Sequence, residues 1–119
     1  MPNPTLSADQ LALAHQILSE VRADLSAASN GDPLVLFALR RKVQKELMYD
    51  ERGKPAHRNK IKTLKRIEQN ELCPICDRPL PAKNAVLDRY EAWKGYTVEN
   101  ARLIHSECDQ AAQAAKGYS

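Results

Sequence analysis

A chain of 119 residues, with 43% hydrophobic and 28% charged residues, has the size and composition of one small soluble domain or of a small domain with a helical extension. The longest unbroken apolar run, residues 34–39, is far shorter than the ~20 residues that span a bilayer, and the first residues lack a signal pattern. Three cysteines, an odd number, argue against a disulfide framework. We therefore expect a reduced, cytoplasmic protein without a membrane segment.

The formal net charge of +3 is distributed unevenly along the chain. Residues 1–39 carry a net charge of −3, residues 40–68 of +7, and residues 69–119 of −1. A concentrated basic segment attracts polyanions such as nucleic acids. The alternative is a solvated helical face whose cations keep the helix soluble, and charge alone leaves both interpretations open.

Helix signals dominate the first part of the chain. Ser7 and Gln10 have the spacing of a capping box, and an apolar stripe with helical periodicity runs from Leu11 to Leu25. Asn30 and the glycine after it should end this helix, and Asp32 is the expected N-cap of a second helix. The buried face of that second helix is predicted to contain Leu36, Leu39, Val43 and Leu47.

A third, strongly basic helix is predicted after a turn at residues 50–53. It covers residues 55–70, with Ile61, Leu64 and Ile67 facing inward and its cations on the outer faces. Together with cations of the second helix, these should form an anion-binding face. The residues assigned to nucleic-acid contact are Arg40, Arg41, Lys45, Arg58, Lys62, Lys65 and Arg66.

Two pairs of metal-ligand residues follow, with residues 77–104 between them. Cys73 and Cys76 have the spacing with which a tight knuckle turns both sulfurs toward one ion. His105 and Cys108 have the same spacing, and on an opening helical turn they share a face. The Cys3His set predicts a closed, structural zinc site. The alternatives for the first pair are small core residues or a redox pair, although the strand–helix pattern of a thioredoxin-like protein is missing.

A hairpin and a loop are expected between the two pairs, and a terminal helix over residues 106–116. Residues 71–116 resemble the zinc-bearing branch of the HNH endonuclease family. The segments that carry the resemblance are Cys73 to Cys76, Leu80, Val86 to Arg89, Lys94 to Tyr96, Glu99 to Leu103 and His105 to Asp109. The resemblance implies a treble-clef-like ββα fold around the zinc ion.

The resemblance also implies candidate catalytic positions at Asp88, Arg89, Asn100 and Asp109. In this family a histidine after the aspartate is the general base, and a divalent ion such as Mg²⁺ stabilises the leaving oxygen. Here Arg89 takes that place, and a guanidinium stays protonated and cannot accept a proton. Asp88 and Asp109 match positions that hold Mg or Mn, and Asn100 matches a loop brace. The structural alternative is a salt bridge between Asp88 and Arg89, with Asp109 interacting with the first turn of the terminal helix.

The sequence therefore predicts an α+β protein in which a helical extension, residues 1–70, precedes an HNH-like zinc domain, residues 71–119. The expected function is that of a nucleic-acid-binding HNH-like zinc protein, for DNA or RNA, with a degenerate nuclease site. One alternative is an active endonuclease that depends on a divalent metal. The other is a zinc-stabilised module that binds or inhibits a protein partner. Tyr90 and Trp93 either stack on bases or cover the zinc core.

Overall fold

The computed structural model describes residues 3–115, and the fold is α+β, as predicted. The described residues form two compact units: residues 4–50, and residues 51–115 with Asn3. Within residues 3–115, no helix combines the length and the apolar character that crossing a bilayer requires. The helices are α1 (Ala8–Ser29), α2 (Pro33–Arg52), α3 (Pro55–Glu68) and α4 (Ser106–Ala115). The strands are β1 (Val86–Arg89) and β2 (Ala101–Ile104), with a short 3-10 helix (Ala92–Lys94) between them.

Local signals at the helix ends define α1 and the start of α2. The Ser7 hydroxyl accepts a hydrogen bond from the Gln10 amide at 3.2 Å, and Gln10 Oε1 accepts one from the Ser7 amide at 2.9 Å. This reciprocal pair is the predicted capping box. Asn30 ends α1 in the left-handed conformation, and Asp32 Oδ1 accepts a hydrogen bond from the Leu34 amide at 2.9 Å. Both ends therefore form as the sequence predicts.

The buried face predicted for α2 is wrong. Leu36 and Leu39 are only half-buried, and Leu47 is 60% exposed, so no side chain of this helix is buried. Periodicity identifies an apolar stripe, but burial also requires a neighbouring element that covers it.

The turn predicted at residues 50–53 is also displaced, because α2 continues to Arg52. The chain breaks at Gly53, which has a φ of +73°. A Cβ atom there would lie 2.9 Å from the His57 ring, so another residue would be strained and would displace this ring.

The unit of residues 51–115 has a buried core centred on its two strands. β1 and β2 pair antiparallel, with Leu87 opposite Leu103 and Asp88 opposite Arg102. Leu103 and Ile104 are completely buried. The core consists of Ile61, Cys73, Leu80, Ala85, Leu87, Ala101, Leu103, Ile104 and Cys108. Because two of the predicted metal ligands are core residues, the core and the candidate metal centre form one structure.

The orientation of α3 differs from the prediction. Ile61 is buried as expected, but Leu64 and Ile67 are 44% and 71% exposed, and Lys65 is only 7% exposed. The inward positions predicted for Leu64 and Ile67, and the outer position predicted for Lys65, are therefore wrong.

A glutamine explains this orientation. Gln69, the C-cap of α3, donates a hydrogen bond to the Leu103 carbonyl at 2.8 Å and accepts one from the Leu103 amide at 2.9 Å. Residues spaced by four lie on one face of a helix, so Ile61 and Lys65 lie in the same row as Gln69. The two hydrogen bonds bring this row toward β2.

Candidate metal centre and adjoining cleft

Four side chains converge beyond the end of the strand pair where β1 begins and β2 ends. Cys73 and Cys76 lie in the turn between α3 and β1, and His105 and Cys108 lie at the junction of β2 and α4. One ligand atom from each residue lies within 4.8 Å of the other three, and Cys76 Sγ is 3.2 Å from His105 Nδ1. The Cys3His group is close enough to bind one metal ion.

Backbone hydrogen bonds build the knuckle that holds the first pair. Leu72 and Pro79 form an isolated antiparallel bridge, and the Cys73 amide donates to the Arg78 carbonyl at 2.9 Å. The Asp77 amide donates to the Cys73 carbonyl at 2.8 Å, and Asp77 has a positive φ of 61°. This turn reverses the chain within a few residues, so both sulfurs of the pair reach the same point.

The hydrogen bond of the histidine ring leaves one nitrogen for a metal. His105 Nε2 lies 2.7 Å from the Pro79 carbonyl oxygen, which can only accept, so Nε2 carries the proton and donates. The carbonyl, followed by the nearby cysteines, raises the pKa of His105. In the neutral ring Nδ1 then keeps its lone pair on the side of the sulfurs, an orientation typical of metal-binding histidines.

The surroundings of Cys73 favour the thiolate, which is the form that binds metals. Burial opposes ionisation, but backbone hydrogen bonds from His105, Cys76 and Ile75 lower the pKa of Cys73 to about 6. These amides act as fixed partial positive charges beside the sulfur.

The other two thiols differ from each other. Hydrogen bonding by the Arg78 backbone, helped by its side chain, lowers the pKa of Cys76. Burial, together with Cys76 and Cys73 nearby, raises the pKa of Cys108 to about 11. Three adjacent thiolates repel one another, and a divalent cation bound among them offsets this repulsion.

A cleft of about 270 Å³ adjoins β1 and α4. Asp88 is 4% exposed. The Gln113 side-chain amide donates to Asp88 Oδ1 at 3.3 Å and to Asp109 Oδ1 at 3.0 Å, which joins the two carboxylates. The residues lining the cleft include Asp88, Arg89, Tyr90, Tyr96, Asp109 and Gln113. Three of the four candidate catalytic residues thus lie at one cleft.

The salt bridge considered between Asp88 and Arg89 is not formed. Neighbouring residues of a strand point to opposite faces, and Asp88 Oδ2 instead accepts a hydrogen bond from Arg102 Nε at 2.9 Å across the strand pair. Arg89 lies over the Tyr96 ring at 4.7 Å and donates to the Ala92 carbonyl at 2.9 Å. Its guanidinium is held by the loop that follows β1.

Asn100 lies outside the lining of the cleft and supports the same loop. The side-chain amide donates to the carbonyls of Glu91 and Gly95 at 2.8 and 2.7 Å, and its oxygen accepts from the Glu91 amide at 3.1 Å. These three contacts fix the backbone between Arg89 and β2.

The residues assigned to nucleic-acid contact are in two different settings. Arg40, Arg41 and Lys45 are exposed on α2. Arg41 and Lys45 line a groove of about 430 Å³, together with Lys42, Gln44, Met48 and Tyr49.

The cations of α3 are largely engaged within their own unit. Arg58 donates to the Gly53 carbonyl at 2.7 Å, and Lys65 pairs with Glu68 at 3.1 Å. Arg66 pairs with Glu71 at 2.7 Å and also donates to the Pro81 carbonyl, while Lys62 is half-buried. Among the described residues, these four cations are not part of the cleft lining.

Three residues important to this arrangement escaped the sequence analysis: Gln69, Arg78 and Gln113. Gln113 had a usable signal, because it follows Asp109 by four residues on a predicted helix. Arg78 follows the second cysteine by two residues and lowers the pKa of its thiol. Gln69 had no local signal, since its partner is 34 residues away.

Comparisons of the chain with protein-family models, curated proteins and solved structures give no match. The chemistry of the donor atoms then indicates which metals fit. Three sulfurs and an imidazole nitrogen are the donors that tetrahedral zinc prefers.

Proposed function

We propose that Cys73, Cys76, His105 and Cys108 hold a structural zinc ion, and that the segment from residue 71 to the end of α4 is a treble-clef-like ββα module built around it. The observation that carries the proposal is the convergence of the four ligand atoms within 4.8 Å. A bound zinc ion supplies charge compensation for the thiolates and links the knuckle to α4. Four protein ligands leave no position for water or substrate, which supports a structural role.

We also propose that the protein is HNH-like and binds DNA or RNA with a degenerate nuclease site. The order of knuckle, β1, β2 and α4 supports the resemblance, since one ligand pair precedes the hairpin and the other opens the helix. The shared cleft of Asp88, Arg89 and Asp109 supports it further. Tyr90 and Trp93 are 48% and 46% exposed, which is consistent with stacking on bases.

Two contacts favour the degenerate form over an active endonuclease. Arg89 stands where the general base belongs, and its guanidinium is fixed against Tyr96 and the Ala92 carbonyl. Arg102 pairs with Asp88 at 2.9 Å and so competes with a Mg or Mn ion for that carboxylate. An active enzyme would need this pair to open and another group to accept the proton.

Nucleic-acid binding is tested by fluorescence anisotropy with duplex DNA and single-stranded RNA at several salt concentrations. Binding through phosphates should weaken with salt, with a slope in log units of about −0.9 per neutralised phosphate on duplex DNA. Reversing Arg40, Arg41 and Lys45 to glutamate should weaken binding to all sequences alike. The matched control is Arg22→Glu on the acidic α1. Absence of salt-dependent binding to either nucleic acid would contradict the proposal.

The nuclease question is settled separately by plasmid nicking with Mg²⁺ or Mn²⁺. We expect no cleavage above that of Asp88→Ala, because general-base catalysis typically contributes about 10²–10⁴ in rate. Cleavage by the unaltered protein that Asp88→Ala abolishes would establish the active endonuclease. A gain of cleavage in Arg89→His would show that only the base is missing.

A protein-interaction or inhibitor module remains the third candidate, and one observation favours it. The large apolar side chains Leu13, Ile17, Leu34 and Phe37 are each more than half exposed in the unit of residues 4–50. Apolar surface of this kind is typical of protein contacts rather than of nucleic-acid contacts.

A further inference from the structure

The unit of residues 4–50 exposes a second apolar face on each of its helices. Ser29 is the buried residue of α1, and α2 has none among the described residues. Stable helices normally cover an apolar stripe against another element. An additional exposed stripe on each helix therefore indicates a surface that binds a partner.

The exposed face of α1 combines apolar and acidic side chains. Leu13, Ile17, Glu20 and Asp24 follow one another at spacings of four, three and four residues, so they share one side of the helix. Leu13 and Ile17 are 55% and 52% exposed. The half-buried side chains of α1 lie on another side, at Ala14, Val21 and Leu25.

The exposed face of α2 combines apolar and basic side chains. Leu34, Phe37, Arg41, Lys45 and Met48 follow at spacings of three, four, four and three residues. Leu34 is 78% exposed and Phe37 58% exposed, and the Arg41 guanidinium lies over the Phe37 ring at 5.5 Å. The half-buried Leu36 and Leu39 again lie on another side of the helix.

We propose that α1 of one copy of the chain docks on α2 of a second copy, with Leu13 and Ile17 against the apolar residues of α2. The charges of the two helices are opposite: α1 has three acidic residues and one basic residue, and α2 has three acidic and five basic residues. Glu20 and Asp24 then lie opposite Arg41 and Lys45. Each chain carries both faces, so two copies can exchange the contact and close as a dimer, or the contact can repeat from copy to copy into a ring or an open assembly.

The charges of the two faces also favour a second copy of the chain over other partners. The α1 face requires a partner that is apolar and basic, which excludes a nucleic acid. The α2 face matches a partner that is apolar and acidic, and a second copy would compete with a nucleic acid for Arg41 and Lys45. One chain supplies both, each with the spacing of a helix, and electrostatic complementarity of this kind favours the right partner and register.

The test measures the mass of the full chain in solution by light scattering and sedimentation velocity, from low micromolar to submillimolar concentrations. The unaltered protein should exceed the monomer mass of 13.4 kDa as concentration rises. Two variants separate the faces: Glu20→Lys with Asp24→Lys, and Arg41→Glu with Lys45→Glu. Each should weaken self-association about tenfold or more, because like charges then meet.

A mixture of the two variants gives the sharpest result. Arg41 and Lys45 in the α1 variant meet Glu20 and Asp24 in the α2 variant. The two reversed faces are also opposite in charge, so the mixture should regain the self-association that each variant alone has lost. Arg22→Glu, which lies on another side of α1, should associate like the unaltered protein, and circular dichroism should give equal helix content for all variants. A monomer at every concentration would overturn the proposal. So would association that neither variant weakens, or equal masses for the mixture and the separate variants.

Discussion

The two units of this protein depend on different kinds of interaction. In residues 51–115, a buried core contains two of the four metal-ligand candidates, and Gln69 connects α3 to β2 across 34 residues. In residues 4–50, the strongest features are the capping box of α1 and the N-cap of α2, and the large apolar side chains are at most half-buried. Residues 51–115 are organised by contacts between residues distant in sequence, and residues 4–50 by contacts between sequence neighbours.

This difference indicates where stability resides. A small segment with few large apolar residues cannot bury enough apolar surface to fold through the hydrophobic effect alone. Binding of a structural metal can supply the missing free energy of folding. Helices with good caps but little tertiary packing gain only modest stability from propensity. We therefore expect substitutions of equal size to have large effects in residues 51–115 and small effects in residues 4–50.

The largest effect should follow from removal of the proposed zinc ion. Structural zinc in small domains is worth about 10–16 kcal/mol in apparent binding free energy, so a strong chelator or Cys73→Ser should unfold residues 51–115. Hydrogen exchange should show loss of protection at Leu103, while protection in α1 changes little. Glu107→Gln is the matched control, since this exposed residue lies between His105 and Cys108. Equal loss of protection in both units would remove the distinction between them.

A pair of leucines tests the contrast in packing. Leu103 is completely buried, whereas Leu18 is 42% exposed. Leu103→Ala should lower the free energy of unfolding by about 2–5 kcal/mol, and Leu18→Ala by less than ~1 kcal/mol. Urea unfolding followed by Trp93 fluorescence and by helical circular dichroism measures both. Similar losses for the two variants would mean that residues 4–50 have a core of comparable quality.

The next effect concerns the link between α3 and β2. Gln69→Ala leaves the amide and carbonyl of Leu103 without these partners, so we expect a loss of about 1–3 kcal/mol. Gln16→Ala, on the exposed surface of α1, should change stability by less than about 0.5 kcal/mol. The urea midpoint of each variant gives the comparison, and an unchanged midpoint for Gln69→Ala would show that this link is not needed.

The smallest effect is expected at the capping box. Ser7→Ala removes the side-chain acceptor for the Gln10 amide and should cost about 1 kcal/mol of helix stability. Ser7→Asp keeps an acceptor at the same position and should restore most of the loss. Hydrogen exchange in the first turn of α1 is the measurement. A loss in Ser7→Ala that spreads to Leu103 would show that the two units unfold together.

Local chemistry made a large part of the fold predictable from the sequence. Ser7 with Gln10, Asn30 and Asp32 act only on neighbouring residues, and each takes the expected role. The convergence of the Cys3His group was also predictable, because the spacing within the pairs Cys73 with Cys76 and His105 with Cys108 allows both members of each pair to face one point.

The remaining features depend on contacts that no local pattern encodes. The buried side of α3 is set by the hydrogen bonds of Gln69 with Leu103, so Lys65 is buried where periodicity predicted Leu64. The partner of Asp88 depends on strand register, which places Arg102 opposite it and Arg89 on the other face. The exposed stripes of residues 4–50 could not be distinguished from buried ones, because the sequence does not state what covers a face.

The most direct test of the metal centre is the coordination of the metal in protein purified without added chelator. Elemental analysis should find one zinc ion per chain. X-ray absorption should give three sulfur neighbours at about 2.3 Å and one nitrogen at about 2.0–2.1 Å. Absence of a stoichiometric metal, or a coordination shell dominated by oxygen, would contradict the assignment of Cys73, Cys76, His105 and Cys108 as its ligands.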